Sequence, residues 1–169
     1  MTGEEVRNYY IRQLIVEEFI SYKQMRLEAL KNEPGMFGNS HTFESGFTDQ
    51  QWMERIINPN GACFGLYADK ELIGITSIII DKEKPDEAHM TQSYIRKAHR
   101  GIGLSKMLYQ ARIEWATQKN LKRLTIGHKE SNVVSKNANQ HFGFKYSHEE
   151  MRNWPDGSVE PMVYYELKI

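Results

Sequence analysis

The 169-residue sequence lacks most features that mark secreted, membrane-spanning or nucleic-acid-binding proteins. Its one cysteine, Cys63, excludes an internal disulfide and leaves no cysteine framework for zinc. The longest aliphatic run, Ile78 to Ile80, is far too short to cross a bilayer, and the acidic start, Met1 to Glu5, lacks the apolar segment of a signal peptide. Lys plus Arg number 22, as do Asp plus Glu, so net charge favours neither nucleic acid nor an anionic membrane as a partner. We therefore expect a cytoplasmic protein.

The overall amino-acid composition is typical of one globular domain. Hydrophobic residues make up 40% of the chain and charged residues 26%, which is enough to bury a core without disulfides or metals. No repeat, linker or biased segment interrupts the sequence, so we expect a single domain over residues 1–169.

Hydrophobic periodicity predicts alternating strands and helices. The predicted strands cover 8–13, 63–68, 71–81, 89–95, a segment from Leu121, and a terminal hairpin that pairs 144–153 with 159–167. The predicted helices cover 17–32, 48–57, the segment after Gly103, and 132–141. This order predicts an α/β protein with a mixed sheet.

The segment from Ile95 to Lys106 has the properties of an anion-binding site. A strand leads through a basic turn with two glycines, Gly101 and Gly103, directly into a helix with an apolar stripe. The first backbone N–H groups of a helix lack intrahelical partners and carry partial positive charge, so a phosphate group binds well there. Glycine leaves room for the phosphate to touch the main chain, and Arg100 adds charge.

Two motifs in the chain resemble those of the GNAT superfamily of acyl-CoA-dependent N-acetyltransferases. The first is Arg100-x-x-Gly103-x-Ser105, which follows Ile95 and departs from the family pattern only at Ser105, where Gly or Ala is usual. The second is Asn132-x-x-Ser135 with Gly143-Phe144 eleven and twelve residues after the Asn. Looser similarity to a bacterial branch of small-molecule enzymes extends over nearly the whole chain.

The resemblance implies a three-layer α/β/α fold whose mixed, mostly antiparallel central sheet is splayed at the strand that binds CoA. It also implies acetyl-CoA as co-substrate, with pantetheine along that strand and pyrophosphate in the glycine turn, and no metal. The residues expected to bind acetyl-CoA are Ser93, Tyr94, Ile95, Arg100, Gly101, Ile102, Gly103, Leu104, Ser105, Lys106, Asn132 and Asn139. A homodimer is compatible with the resemblance.

Acetyl transfer to an amine requires a base, because a lysine-like amine with a pKa near 10.4 is protonated at neutral pH. His89 lies six residues before Ile95, where many family members place a catalytic Glu, and its ordinary pKa near 6.5 suits the task. The alternative is a structural histidine at a sheet end, with Glu87 as the fallback base. A backbone N–H at the splayed strand would stabilise the oxyanion, as the resemblance implies.

The leaving CoA thiolate also needs a proton, which related enzymes often supply from a Tyr seven residues after the motif Asn. That position is Asn139 here, which cannot act as an acid but can hydrogen-bond pantetheine or the thiol. Tyr94, Tyr109 and Tyr146 are alternative acids, although each is explained more simply as a packing aromatic. Positioning of the two reactants can still catalyse transfer without an acid.

The acceptor pocket would be walled by the first two helices, their loop and the terminal hairpin. Its candidate residues are Arg26, Phe37, His41, Phe43, Glu44, Trp52, His89 and Trp154, of which Arg26, Phe37, Glu44 and Trp154 are our substrate-binding predictions. The sequence does not choose among four classes of acceptor: a polyamine, an amino acid, an aminoglycoside-like amine and a peptide N-terminus. The predicted function is acetyl transfer from acetyl-CoA to a primary amine. The alternative is an acyl-CoA-binding module with weak or no turnover, which Asn139 and the absence of Glu at position 89 motivate.

Overall fold

The computed structural model of the chain describes residues 6–169. The acidic start on which we based the expectation of no signal peptide lies outside these residues. The described part contains seven strands and five α-helices. The strands are Tyr9–Gln13 (β1), Gly61–Ala68 (β2), Glu71–Ile80 (β3), Glu87–Ile95 (β4), Arg123–Lys129 (β5), Lys145–Asn153 (β6) and Val159–Lys168 (β7). The helices are Phe19–Asn32 (α1), His41–Ser45 (α2), Asp49–Ile57 (α3), Ser105–Gln118 (α4) and Val133–His141 (α5).

All seven strands form one sheet in the order β1-β2-β3-β4-β5-β7-β6. Every neighbouring pair is antiparallel except β4 and β5, which run parallel. A parallel pair needs a crossover, and here α4 supplies it. The predicted mixed, mostly antiparallel α/β sheet is therefore confirmed.

Helices cover both faces of the sheet. On one face α4 and α5 pack on a cluster that contains Ala88, Met90, Trp115, Leu124 and Ile126. On the other face α1 and α3 contribute to a second cluster with residues from β2, β3 and β4. Successive side chains of a strand point to opposite faces of the sheet. His89, between Ala88 and Met90 of β4, and Thr125, between Leu124 and Ile126 of β5, therefore point toward α1 and α3.

The elements differ from the prediction at several boundaries; β2 and β4, for example, each begin two residues earlier than predicted. A 3-10 turn at Val16–Glu18 precedes α1, so the α-helix itself begins two residues later than predicted. The short α2 was missed; Ser40 starts it by accepting a hydrogen bond from the backbone N–H of Phe43 at 3.1 Å. The fifth strand begins at Arg123 rather than Leu121, whose side chain is buried against α4. Helix α2 was missed because its five residues are too few for hydrophobic periodicity to reveal a helix.

No helix in the stretch from residue 6 to residue 169 is long and apolar enough to cross a membrane.

Candidate active site

The sheet opens between β4 and β5. Their pairing covers only Glu87 to Met90 against Arg123 to Ile126, and the strands separate beyond that point. The register between β3 and β4 shifts at the same level, where Gln92 adopts a left-handed φ of +62°. The Tyr22 O–H donates to Gln92 Oε1 at 2.6 Å. One extra residue in a strand bends it locally, so this bulge accompanies the separation of β4 from β5.

A cavity of about 160 Å³ lies in this opening. Toward α1 it is bounded by the loop after α1 and by the hairpin turn between β6 and β7. Toward α4 and α5 it is bounded by side chains from those two helices. The residues that line it are Glu33, Met36, Phe37, Gly38, His89, Met90, Thr91, Gln92, Ser93, Tyr109, Ile126, Gly127, His128, Lys129, Asn132, Ser135, Asn139, Trp154 and Met162.

His89 lines the cavity from β4 and pairs in register with Thr125 of β5. The two side chains point to the same face, and His89 Nδ1 lies 2.9 Å from Thr125 Oγ1. Burial lowers the pKa of His89 below its usual 6.5, and the positive charges of Arg112 and Arg152 lower it further. The imidazole is therefore mainly neutral at pH 7 and able to accept a proton.

Glu87, the fallback base, is held by cations at the start of β4. Arg123 Nη1 donates to its Oε1 at 3.2 Å, and Lys84 Nζ lies 3.8 Å from its Oε2. It is not among the residues that line the cavity. Of the two candidate bases, only His89 reaches the opening.

Tyr109 and Asn139 meet on the α4 and α5 side of the same cavity. The Tyr109 O–H donates to Asn139 Oδ1, and both residues line the opening. Asn139 is buried, and its Nδ2 has no hydrogen-bond partner within residues 6–169. The other two tyrosines considered as acids lie elsewhere: the Tyr94 O–H donates to Glu28 in the α1 and α3 layer, and Tyr146 is exposed on β6.

The predicted phosphate turn immediately precedes α4, which begins at Ser105. Gly101 and Gly103 have φ of +80° and +84°, a conformation that side-chain-bearing residues rarely adopt. A Cβ atom at either position would have no described protein atom within 4 Å, so both glycines face open space. Exposed Ile102 and Lys106 flank this surface, and Leu104 is buried beneath it. This geometry fits a pyrophosphate bound by backbone N–H groups.

The Arg100 guanidinium is already engaged by the protein. Its Nε donates to the carbonyl of Ile95 at 2.6 Å, its Nη2 donates to Glu33, and its Cζ lies 5.5 Å from the centre of the Tyr94 ring. Arg100 therefore ties the glycine turn to the end of β4 and to α1. Within the second predicted motif, Asn132 lines the cavity and accepts at Oδ1 from the Ser135 N–H at 3.1 Å, which starts α5.

The side of the cavity next to α1 is closed by two loops that touch each other. A Cβ atom at Gly35 would collide with the carboxylate of Asp156, so the loop after α1 is packed against the β6–β7 turn. Asp156 accepts from Lys129 Nζ at 2.8 Å, and that bond holds the pKa of the carboxyl well below its usual value. Lys129 Nζ also lies 5.5 Å from the centre of the Trp154 ring. Phe37 and Trp154, two of the predicted substrate residues, line this part.

The other two predicted substrate residues bind each other behind the cavity wall. Arg26 Nη2 donates to Glu44 Oε2 at 2.8 Å, and Arg55 Nη1 donates to Glu44 Oε1 at 2.7 Å. Arg26 and Glu44 are both buried, and neither lines the opening. Among the wider candidates, Trp52 is buried, Phe43 is exposed, and His41 does not line the cavity.

The residues at the site that were not identified from the sequence include Thr125, Gln92, His128 and Lys129. Thr125 carries no local signal, because it reaches His89 only through strand pairing. His128 and Lys129 are polar residues at the end of β5 whose burial is visible only in the structure. The described residues contain no group of three His, Cys, Asp or Glu side chains that could hold a metal ion.

Solved structures with low sequence identity share this fold. An acetyltransferase of the GNAT family from Streptococcus pneumoniae superposes with a TM-score of 0.82 at 16% identity, covering 96% of this chain and 99% of the other. A ribosomal-protein-alanine N-acetyltransferase from Brucella melitensis gives 0.80 at 15% identity over 95% and 99% of the two chains. An N-acetyltransferase from Staphylococcus aureus Mu50 gives 0.80 at 19% identity over 95% and 98%.

The family model described as "Acetyltransferase (GNAT) family" matches residues 22–144, which is most of the chain. The match includes α1, the opening of the sheet, the glycine turn, α4 and α5. Together with the mixed sheet that opens beside β4, it shows that this protein belongs to the GNAT family of acetyltransferases.

Proposed function

We propose that the protein is one N-acetyltransferase domain that moves an acetyl group from acetyl-CoA to a primary amine of a small molecule or a peptide N-terminus. The observation that carries the proposal is the position of His89 at the opening between β4 and β5, with its Nδ1 bonded to Thr125. The amine would attack the thioester directly while both substrates are bound.

His89 would act as the base. If Nδ1–H donates to Thr125 Oγ1, the lone pair of Nε2 is free to take the amine proton, directly or through one water. The lowered pKa of His89 keeps this lone pair available at neutral pH. The imidazolium that forms keeps its hydrogen bond to Thr125.

Acetyl-CoA would enter from the α4 side. The glycine turn offers backbone N–H groups and the positive end of α4 to the pyrophosphate. Pantetheine would run beside Ser93 in the opening, where the edge of β4 is free of β5. Asn132 and Asn139 line the same path.

The acceptor would enter between the loop after α1 and the β6–β7 turn. Phe37 and Trp154 offer apolar surface there, while the charges of Glu33 and Lys129 are already paired with Arg100 and Asp156. A small amine whose carbon skeleton packs on these aromatics fits this lining. Its proton would leave toward His89.

A panel of amines tested with acetyl-CoA and a thiol-detecting reagent would test the proposal. The panel should include polyamines, amino acids, aminoglycosides and short peptides with free N-termini. We expect CoA release that depends on one class of acceptor, and acetylated product by mass spectrometry. Tight acetyl-CoA binding with only slow, acceptor-independent CoA release would instead support the acyl-CoA-binding module.

A further inference from the structure

Gln92 presents its carboxamide to the cavity from a strained position in β4. Its φ of +62° lies in the left-handed region, which residues with a side chain rarely adopt and which is concentrated at functional sites. The Tyr22 O–H donates to Gln92 Oε1 at 2.6 Å, and Gln92 lines the cavity. Because Oε1 already accepts this bond, the two N–H groups of Nε2 are what Gln92 can offer to a ligand.

Tyr22 holds the carboxamide from behind the cavity wall. Its side chain is fully buried, and its ring meets Trp52 edge-on with centroids 5.7 Å apart. Burial raises the pKa of Tyr22, so the phenol keeps its proton at neutral pH, while the positive charges of Arg55 and Arg26 act in the opposite direction. These cations favour the lone pairs of the phenol oxygen on their own side, which leaves the O–H to point toward Gln92.

A buried ion cluster supports Tyr22 in turn. Glu44 accepts from Arg26 at 2.8 Å and from Arg55 at 2.7 Å, and Arg55 Cζ lies 5.0 Å from the centre of the Trp52 ring. The cluster joins α1, α2 and α3 around the phenol. Its effect reaches the cavity through one bond, because the direction of the Tyr22 O–H decides that the nitrogen end of the carboxamide faces the ligand.

The carboxamide lies on the same face of the sheet as His89. Tyr22 belongs to α1, so its bond places the Gln92 side chain on the face to which His89 points. Three residues of strand span roughly 10 Å. An acceptor amine that reaches His89 through one water, with an oxygen on a neighbouring carbon bonded to Gln92, covers a similar distance.

The charges that line the cavity are already paired. Among the described residues of its lining, Glu33 is the only carboxylate and Lys129 the only lysine or arginine. Glu33 accepts from Arg100, and Lys129 donates to Asp156 at 2.8 Å. The second ammonium of a polyamine would therefore lack a free anion, and the carboxylate of an amino acid would lack a free cation. A neutral oxygen needs neither.

We propose that Gln92 determines acceptor specificity by donating from Nε2 to a neutral carbonyl oxygen next to the acceptor amine. This inference rests on the proposed function. It selects α-amino amides, the class to which peptide N-termini belong, over polyamines and free amino acids. Tyr22 is a positioning residue, because it orients the carboxamide without touching the substrate. An amine without this oxygen would leave Nε2 without a partner in the complex and is therefore rejected.

Three small acceptors test this selection in the presence of acetyl-CoA: alaninamide, alanine and diaminobutane. The parent should have its highest kcat/KM for alaninamide. Gln92→Glu keeps the length of the side chain and its bond from Tyr22 but replaces the N–H donors with a carboxylate. It should lower the ratio of kcat/KM for alaninamide to that for diaminobutane by roughly a hundredfold. A parent that prefers alanine or diaminobutane, or an unchanged ratio in Gln92→Glu, would overturn the inference.

Matched variants separate the donor from its charge and from its support. Gln118→Glu makes the same change at the exposed end of α4 and should leave the ratio unchanged. Gln92→Met removes the amide without adding charge, so it should lose activity toward alaninamide and gain none toward diaminobutane. Tyr22→Phe should raise the KM for alaninamide about tenfold with little change in kcat or in the KM for acetyl-CoA. An equal defect of Tyr22→Phe with all three acceptors would contradict the positioning role.

A binding measurement distinguishes this inference from the proposed function. Alaninamide is titrated into the CoA-saturated protein and followed by NMR, for the parent and for Gln92→Met. We expect the parent to bind alaninamide roughly tenfold more tightly. If this difference is present but the parent acetylates no acceptor, the proposed function fails and the assignment of Gln92 holds. Acetyl transfer by the parent with equal alaninamide affinity in both proteins would contradict the assignment of Gln92 alone.

Discussion

His89 Nδ1 lies 2.9 Å from Thr125 Oγ1, across the last stretch of pairing before β4 and β5 separate. Parallel pairing fixes the position of both side chains, so the imidazole is held at the rim of the opening. Because Nδ1 is engaged by this contact, Nε2 is the ring nitrogen left to face the proposed acceptor site. Its partner is a hydroxyl, which tolerates both the neutral and the charged ring.

Replacing His89 with Ala should depress turnover by roughly a hundredfold or more, with little change in acetyl-CoA affinity. The pKa of His89 is lowered, so activity in the parent should be present above that pKa and fall as pH drops through it, below about 6.5. The defect of His89→Ala should shrink as pH rises, because more acceptor arrives neutral. Rate profiles against pH measure both effects.

His141→Ala, a change at an exposed histidine at the end of α5, is the control for this experiment. Turnover of His89→Ala within about threefold of the parent at pH 7 would exclude His89 as the base, since general-base catalysis contributes far more. Glu87 or a water network would then be tested.

Thr125→Val keeps the shape of the side chain and removes the hydroxyl. The imidazolium loses an acceptor for Nδ1–H, so the pKa of His89 should fall further and the acid limb should move to lower pH. We expect kcat to drop about tenfold, the effect of one hydrogen bond to a charged group. Thr117→Val, on the exposed face of α4, should leave the profile unchanged. A defect in Thr125→Val with an unmoved limb would contradict the orienting role.

Gly103→Val should abolish acetyl-CoA binding, because the new side chain would occupy the open space that the glycine turn faces. It would also strain the backbone at a φ of +84°. Gly157→Val is a matched control, since Gly157 has a φ of +85° and equally open surroundings in the β6–β7 turn. Calorimetric titration should show CoA affinity lost in the first variant and kept in the second. Loss in both would indicate a general folding defect.

The Ser93 to Ile95 backbone should gain hydrogen-exchange protection when CoA is added, because pantetheine would pair with the free edge of β4. The β1 strand, at the far edge of the sheet, provides the internal control and should not change. Protection limited to Gly101 to Lys106 would show that CoA binds through its phosphates without pairing with the strand.

Glu44→Ala should lower the free energy of unfolding by about 3–5 kcal/mol, because it leaves Arg26 and Arg55 without their buried partner. Burial raises the pKa of Glu44, but its bonds and charge pairing with Arg26 and Arg55 lower it overall below the usual 4.5. Its stabilising effect is therefore present above pH 4.5 and lost as pH falls through the lowered pKa. Urea unfolding at several pH values measures both effects.

Glu54→Ala removes an exposed carboxylate from the neighbouring α3 and should change stability by less than about 0.5 kcal/mol. If Glu44→Ala were equally mild, the ion pair with Arg26 would contribute little to the fold.

Features that depend on short stretches of chain could be predicted from the order of the residues alone. Periodicity located the strands and the long helices, since each buries one face, and the glycines at 101 and 103 marked the turn before α4 because a positive φ favours Gly. The second motif, from Asn132 to Phe144, was also recognisable because its spacing covers only one helix, α5, and the residues at its two ends. His89 was found because its distance from Ile95 is a distance along one strand.

Tertiary structure decided the partners of these residues. His89 and Thr125 are 36 residues apart, and Tyr109 and Asn139 are 30 apart, so their contacts follow from strand pairing and helix packing rather than from local pattern. Arg26 and Glu44 were predicted to bind the substrate, but in the folded chain they are buried against each other. A side chain's chemistry depends on burial and on its neighbours, and both are set by contacts between segments distant in sequence.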